Sequence, residues 1–279
     1  MLAFPEMEGA MGYAESGFRF PIRVLDEAEA GTMLAGLRRS EALVGGRLTG
    51  RMNQKPHLLF PWMDALVRRP AVLDAVQEVI GPDILCWASQ FFIKGAGDAA
   101  YVSWHQDGNY WGLSSADVVT AWIALTPSTP LSGNMRVVPG THLKAVPHAD
   151  TFAADNLLSR GQEIAAEVNE ADAVDITLAP GEMSLHHVLI VHGSEPNRAD
   201  WPRVGFAVRY VPTHVRQLNG DRDSALLVRG EDRFGHFEHE VPPESDLHPD
   251  AVARHAAIVD AKLEVLYAGA SQAGKRATG

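Results

Sequence analysis

Trp104-His105-Gln106-Asp107-Gly108 is the stretch on which the reading of this 279-residue chain turns. His105 and Asp107 lie two positions apart, so on an extended strand both side chains leave the same face. A third ligand at His192, in the distant stretch His192-Gly193-Ser194, would complete two imidazoles and one carboxylate. Such a set takes one face of an octahedral ferrous ion and leaves the opposite positions open. Alone the tripeptide is a weak signal, because a solvated loop can also carry a His and an Asp. The run 183–192 holds three histidines. Simple alternation puts His186 and His192 on one face and His187 on the other, unless the strand breaks near Val188.

Arg203 stands eleven positions past His192 (203 minus 192). From the next strand its planar fork can grip a carboxylate, and Ser194 can hydrogen-bond the same group. The pair suits a dicarboxylic co-substrate held by the metal at one end and by Arg203 at the other. The motifs W-H-Q-D-G-N-Y-W-G-L (104–113), T-A-W-I-A-L (120–125), G-N-M-R-V-V-P-G-T-H (133–142) and G-E-M-S-L-H-H-V-L-I-V-H-G-S-E-P-N-R (181–198) run in this order. From about residue 55 to about residue 240 the chain resembles the phytanoyl-CoA dioxygenase family of iron(II)/2-oxoglutarate oxygenases.

The resemblance implies Fe(II) on His105, Asp107 and His192, with 2-oxoglutarate and O2 as co-substrates. It selects His192 over His186 and His187, because Gly193-Ser194, Asn197 and Arg203 follow it. It places the face shared by Thr120 and Trp122 over the co-substrate. It implies hydroxylation of a small polar metabolite or biosynthetic intermediate, with 2-oxoglutarate decarboxylated to succinate and CO2. Related halogenases replace the carboxylate ligand by a small residue, so Asp107 favours hydroxylation over halogenation. Desaturation, ring closure and epimerisation use the same ligands and stay open. A cupin-like isomerase or hydrolase using zinc or manganese is the alternative, and a non-catalytic metabolite-binding protein a third. The first has no need of Arg203 and Ser194, and the second has no need of an open metal site.

Many short apolar strands between Gly/Pro turns, with helices at both ends, read as mostly β. The resemblance supplies the topology, a double-stranded β-helix or jelly-roll barrel like that of cupins. One domain is expected over 1–279, with helical support in 1–82, the barrel in 83–240, and a helix and frayed tail in 241–279. Residues 26–43 carry a helical apolar pattern capped by Asp26. Residues 61–80 read as one helix or two, broken near Pro70. Residues 84–94 read as a strand whose even-numbered face carries Gln90 and Lys94, and Gln90 is a further candidate for the co-substrate. Residues 145–175, rich in Ala, Asp and Glu, are expected to be a mobile, partly helical cover over the site.

Substrate candidates are the loop Asn109-Tyr110-Trp111, the polar stretch holding Lys55 and His57, and His187. A charged substrate would be met by Lys55, Arg51 or Arg209, with Arg209 on either face of its strand. His142 reads as a loop-orienting hydrogen bonder rather than a ligand. The C-terminal helix is expected to dock on the barrel or to form a dimer contact, so the chain reads as a monomer or homodimer.

Net charge is −11, from 24 basic and 35 acidic residues, which argues against a nucleic-acid partner. The single cysteine, Cys86, excludes an internal disulfide and suits a reducing compartment. With no apolar run near the ~20 residues of a membrane helix, and no secretion-signal pattern, the expected setting is cytoplasmic.

Overall fold

The computed structural model describes residues 12–266 except 152, 154, 159, 160, 166, 167 and 220–222, with Asn109, Tyr110 and 264–266 described in backbone only. The expected frayed tail beyond the C-terminal helix falls outside this range. After one helical turn, α1 (Tyr13–Ser16), strand β1 (Phe18–Arg23) forms one edge of a large sheet. Asp26 then starts α2 (Glu27–Leu43) through a reciprocal capping box with Glu29, its carboxylate taking the Glu29 N–H at 2.7 Å. Such a cap contributes about 1 kcal/mol. The apolar run beyond residue 60 divides into α3 (Pro61–Val67) and α4 (Pro70–Ile80). Pro70 forces the division: it has no N–H to continue the first helix, but fits the first turn of the second.

The chain then passes back and forth between two facing sheets. Strands β2 (Ile84–Lys94), β4 (Val119–Ala124), β9 (Glu182–His187), β11 (Arg203–Pro212), β12 (Ser224–Arg229) and β13 (Glu238–His239) join β1 in a seven-stranded sheet, ordered β1-β9-β4-β11-β2-β12-β13. Strands β3 (Val102–His105), β5 (Met135–Val138), β8 (Val174–Ile176) and β10 (Val191–Ser194) make a four-stranded sheet, ordered β3-β10-β5-β8. From β2 to β5 and from β8 to β11 successive strands alternate between sheets, which is the jelly-roll winding.

All ten residues of β11 are buried, so the strand is covered on both faces. Its outer row, including Phe206, Val208 and Tyr210, joins Ala121, Ile123 and Phe91 in a core closed by the helices through Leu66, Val72 and Val76. Its inner row is Arg203, Gly205, Ala207 and Arg209. Gly205 is required there, since a Cβ would come within 1.8 Å of the Trp122 indole lying across it.

The 145–175 segment differs from expectation. Among its described residues the only helical piece is one 3₁₀ turn, Glu170–Asp172; β6 (His148–Asp150) and β7 (Gln162–Ile164) pair antiparallel as a hairpin. The Gln106 side chain decides this locally. Its amide donates to the carbonyls of Lys144 and Leu189 and its Oε1 accepts from Val146 N–H, so the segment starts with its backbone already engaged. Helix α5 (Pro249–Leu266) docks on the chain itself, with Val259 buried and His255 bonded to the Gln54 carbonyl at 2.6 Å. Among the described residues no helix is long and apolar enough to cross a membrane.

Candidate metal centre

Strands β3 and β10 pair antiparallel with His192 opposite His105, bringing the ring centroids within 4.1 Å. Asp107 follows two residues later, in the turn Asp107–Tyr110 that leaves β3. Ligand atoms of His105, Asp107 and His192 all lie within 4.8 Å of one another, and all three residues are buried. Each imidazole donates Nδ1–H to the carbonyl two residues before it, His105 to Ser103 at 2.9 Å and His192 to Ile190 at 3.0 Å. That leaves the Nε2 lone pairs for a metal, the usual outer support of a histidine ligand.

The electrostatics favour the same protonation state. Burial pushes the His192 imidazolium well below its ordinary range, helped by repulsion from His105. Burial pushes the Asp107 carboxyl up, but the neighbouring His105, His192 and Arg209 outweigh it and hold it well below the usual carboxylate range. A neutral imidazole and an ionised carboxylate are the forms that bind a divalent cation.

The strand that carries the histidines does break. His187 ends β9, a turn closes from Ile190 N–H to the His187 carbonyl at 3.0 Å, and β10 begins in the other sheet. His186 therefore looks across the cavity at His192, ring centroids 5.0 Å apart, with Nδ1 buried and unpartnered. His187 faces away, its ring 5.1 Å from His142, which in turn bonds the Ala14 carbonyl at 3.1 Å. His187 does not line the cavity and His186 does.

The cavity holds the triad, Thr120, Trp122, Arg203 and Arg209 on its walls. Arg203 is 2% exposed, stacks at 5.4 Å over Trp122, and donates Nη1 to the Gly133 carbonyl. Its Nε is buried without a partner, and no carboxylate pairs with it among the described residues. Burial lowers its pKa to about 10. A buried guanidinium without a counter-ion is costly, so the site is built for an arriving anion. Donor set, open cavity and waiting cation together fit Fe(II) and 2-oxoglutarate.

Ser194 also lines the cavity, and its Oγ is held at 2.7 Å by Lys94 Nζ, which bonds the carbonyls of Ser194 and Glu195 as well. Lys94 is not a solvated strand end: it has no exposed surface. Burial and then repulsion from Arg203 push it down to about 6, so it is mostly neutral at pH 7.5. A carboxylate pairing with Arg203 cancels part of that repulsion and raises the Lys94 pKa, so 2-oxoglutarate binding should take up protons. Calorimetry in buffers of different ionisation enthalpy reads this directly. The uptake should vanish in Lys94→Met, and binding without uptake in the unaltered protein refutes the coupling.

The other expected residues divide. Gln90 is half-buried opposite Ala207 and lines a neighbouring cavity with Phe92 and Leu157. Thr120 sits opposite Arg209 on the adjoining strand, whereas Trp122 stacks on Arg203. Trp111 is half-buried, tilted against Trp87 at 5.1 Å. The side chains of Asn109 and Tyr110 lie outside the described residues. Lys55 and His57 are not pocket residues in this structure. Both are fully buried on the helix side of the large sheet, Lys55 paired with Glu240 and bonded to the Ser224 carbonyl at 2.7 Å, His57 bonded to Ser89 Oγ at 2.6 Å. Ser89 is on the odd-numbered face of β2, away from the triad. Arg51 is on the surface, bonded to Asp260 of α5. The residues that sequence reasoning left undecided, His186 and Arg209, are the ones that face the metal site. The period-two spacing from Arg203 to Arg209 was the available signal.

Residues 23–205 match the family described as phytanoyl-CoA dioxygenase. A probable alpha-ketoglutarate-dependent hypophosphite dioxygenase of Stutzerimonas stutzeri is 29% identical over 189 residues, 64% of this chain and 65% of that protein. The chain thus spans slightly less than two thirds of that relative. An ectoine dioxygenase of Bordetella parapertussis is 22% identical over 225 residues, 71% of this chain and 72% of that one. Among solved structures, the non-heme monooxygenase ThoJ superposes with a TM-score of 0.81 at 38% identity, covering 91% of this chain and 95% of its own. With a buried His-Asp-His triad on two paired jelly-roll strands and the turn that leaves one of them, the chain belongs to the phytanoyl-CoA dioxygenase family of Fe(II)/2-oxoglutarate-dependent oxygenases.

Proposed function

We propose that this protein hydroxylates a small polar metabolite or biosynthetic intermediate, using Fe(II), 2-oxoglutarate and O2 and releasing succinate and CO2. The observation that carries the reading is one cavity holding both the triad and Arg203, a buried guanidinium with an unpartnered Nε. His105, Asp107 and His192 hold the metal by one face. Arg203 and Ser194 grip the far carboxylate of 2-oxoglutarate, and Trp122 fixes the plane of the guanidinium. Iron bound there, with O2 and 2-oxoglutarate, supplies an oxidant able to take hydrogen from an unactivated carbon. The apolar wall around it, Phe92, Met135 and Ala207 among others, excludes water and keeps that oxidant on the substrate.

A cupin-like non-redox isomerase or hydrolase is not favoured, because Arg203 would then be a buried cation without a purpose. Asp107 supports hydroxylation rather than halogenation. A reducing, cytoplasmic setting accords with the lone cysteine, Cys86, which is buried. The test is an anaerobic titration with Fe(II) and then 2-oxoglutarate, followed by visible absorption. A weak charge-transfer band that needs both additions is the expected result. Tight zinc or manganese binding with no such band would overturn the oxygenase reading and restore the non-redox one.

A further inference from the structure

Arg203 is not the only guanidinium in the cavity. Arg209 lies six residues further along β11 on the same inner face, roughly 20 Å away by strand rise. It is 7% exposed, its Nε is buried without a partner, and no carboxylate pairs with it among the described residues. Its guanidinium lies near two rings, 5.5 Å from Phe92 and 5.7 Å from Trp111. Asp107 is near enough to be felt, but makes no ion pair with it.

Strand register sets two further unsatisfied groups beside it. Arg209 pairs with Thr120 on β4, and Thr120 pairs with His186 on β9. Thr120 Oγ1 and His186 Nδ1 are both buried without partners, and all three residues line the triad's cavity. Buried polar atoms are nearly always satisfied in folded proteins. A row of three unsatisfied groups across three adjacent strands, one of them a cation, describes the outline of a missing ligand.

We propose that this row is the recognition site for a carboxylate on the substrate: Arg209 grips the anion, Thr120 bonds it or its neighbour, and His186 meets the substrate on the side facing the metal. The proposal rests on the oxygenase reading and deepens it, since the two arginines divide the cavity. Arg203 takes the co-substrate's far carboxylate, and Arg209, near Asp107, takes the substrate's. The planar fork of Arg209 suits a flat carboxylate presented edge-on. The aromatic neighbours, Trp111 beside Arg209 and Trp87 5.1 Å behind it, suit an apolar or aromatic body attached to that carboxylate.

The experiment uses the full chain loaded anaerobically with Fe(II) and 2-oxoglutarate. Three acid–amide pairs are titrated calorimetrically: phenylacetate and phenylacetamide, indole-3-acetate and indole-3-acetamide, N-acetylhistidine and its amide. Acids are expected to bind roughly 30-fold or more tighter than their amides, the discrimination of a buried charge pair. Arg209→Gln should erase the difference and Arg209→Lys keep part of it, while both retain the wild-type 2-oxoglutarate affinity and charge-transfer band. Amides binding as well as acids in the unaltered protein, or no acid binding at all, overturns the proposal without any variant. Loss of 2-oxoglutarate affinity in both Arg209 variants overturns it too, by reassigning Arg209 to the co-substrate. Absence of the band in the unaltered protein is a separate outcome: it refutes the oxygenase reading and the substrate site built on it.

Discussion

Asp107→Ala should leave the fold in place and remove ferrous iron, with affinity down more than about 100-fold and turnover abolished. The size follows from what Asp107 contributes. It is the one anionic member of the triad, held ionised in a buried site where no other carboxylate ligand is available among the described residues. Changing outer partners of metal ligands already costs about 10- to 100-fold in affinity, and removing a ligand outright costs more. The substitution also leaves His105 and His192 as two neutral donors beside an uncompensated Arg209, so the site's charge moves from favouring a cation to repelling one. Anaerobic Fe(II) titration reads the affinity, and thermal melting of the metal-free protein reads the fold. Melting should change little, because Asp107 sits in a turn rather than in the helix-side core. Full activity with iron retained would take Asp107 out of the ligand set.

Why some of this was readable in the sequence and some was not comes down to range. Local rules sufficed where neighbours decide the outcome: Asp26 with Glu29 for a cap, Pro70 for a helix break, and alternation for Gln90 and Lys94 on β2. The triad was readable because its members sit in motifs of fixed order. The errors are non-local. Lys55 and His57 look like a polar loop facing water or a ligand, yet Glu240, 185 residues on, takes the lysine into the helix-side core. An Ala- and acid-rich segment looks partly helical, yet Gln106 from the ligand motif engages its backbone at Lys144 and Val146, and only the turn Glu170–Asp172 is helical among its described residues. Whether Arg209 faced inward depended on the register of β11 against β4. His186 depended on the turn at 188–190, which sends His192 to the opposite sheet and sets the two rings 5.0 Å apart across the cavity.

Arg203→Ala is the other change with a large expected effect, and it separates co-substrate from metal. Truncating one partner of a buried, hydrogen-bonded charge pair costs about 2–5 kcal/mol. At about 1.4 kcal/mol per tenfold, the 2-oxoglutarate requirement should rise at least roughly 30-fold. Iron affinity should stay close to wild type, because Arg203 touches no ligand of the triad. Its neighbours are the Gly133 carbonyl, the Trp122 ring and, by repulsion, Lys94. The last contact gives an internal control. Removing Arg203 relieves Lys94 of a like charge, so the Lys94 pKa should rise above about 6 in the variant before any co-substrate arrives. The proton uptake that accompanies 2-oxoglutarate binding near pH 7.5 should therefore shrink together with the affinity. Arg203→Lys keeps the charge but loses the fork, and should fall between the two in affinity while retaining most of the uptake. A variant with unchanged 2-oxoglutarate dependence would refute the clamp, and would leave Arg209 as the remaining buried guanidinium in that cavity able to take the co-substrate's carboxylate.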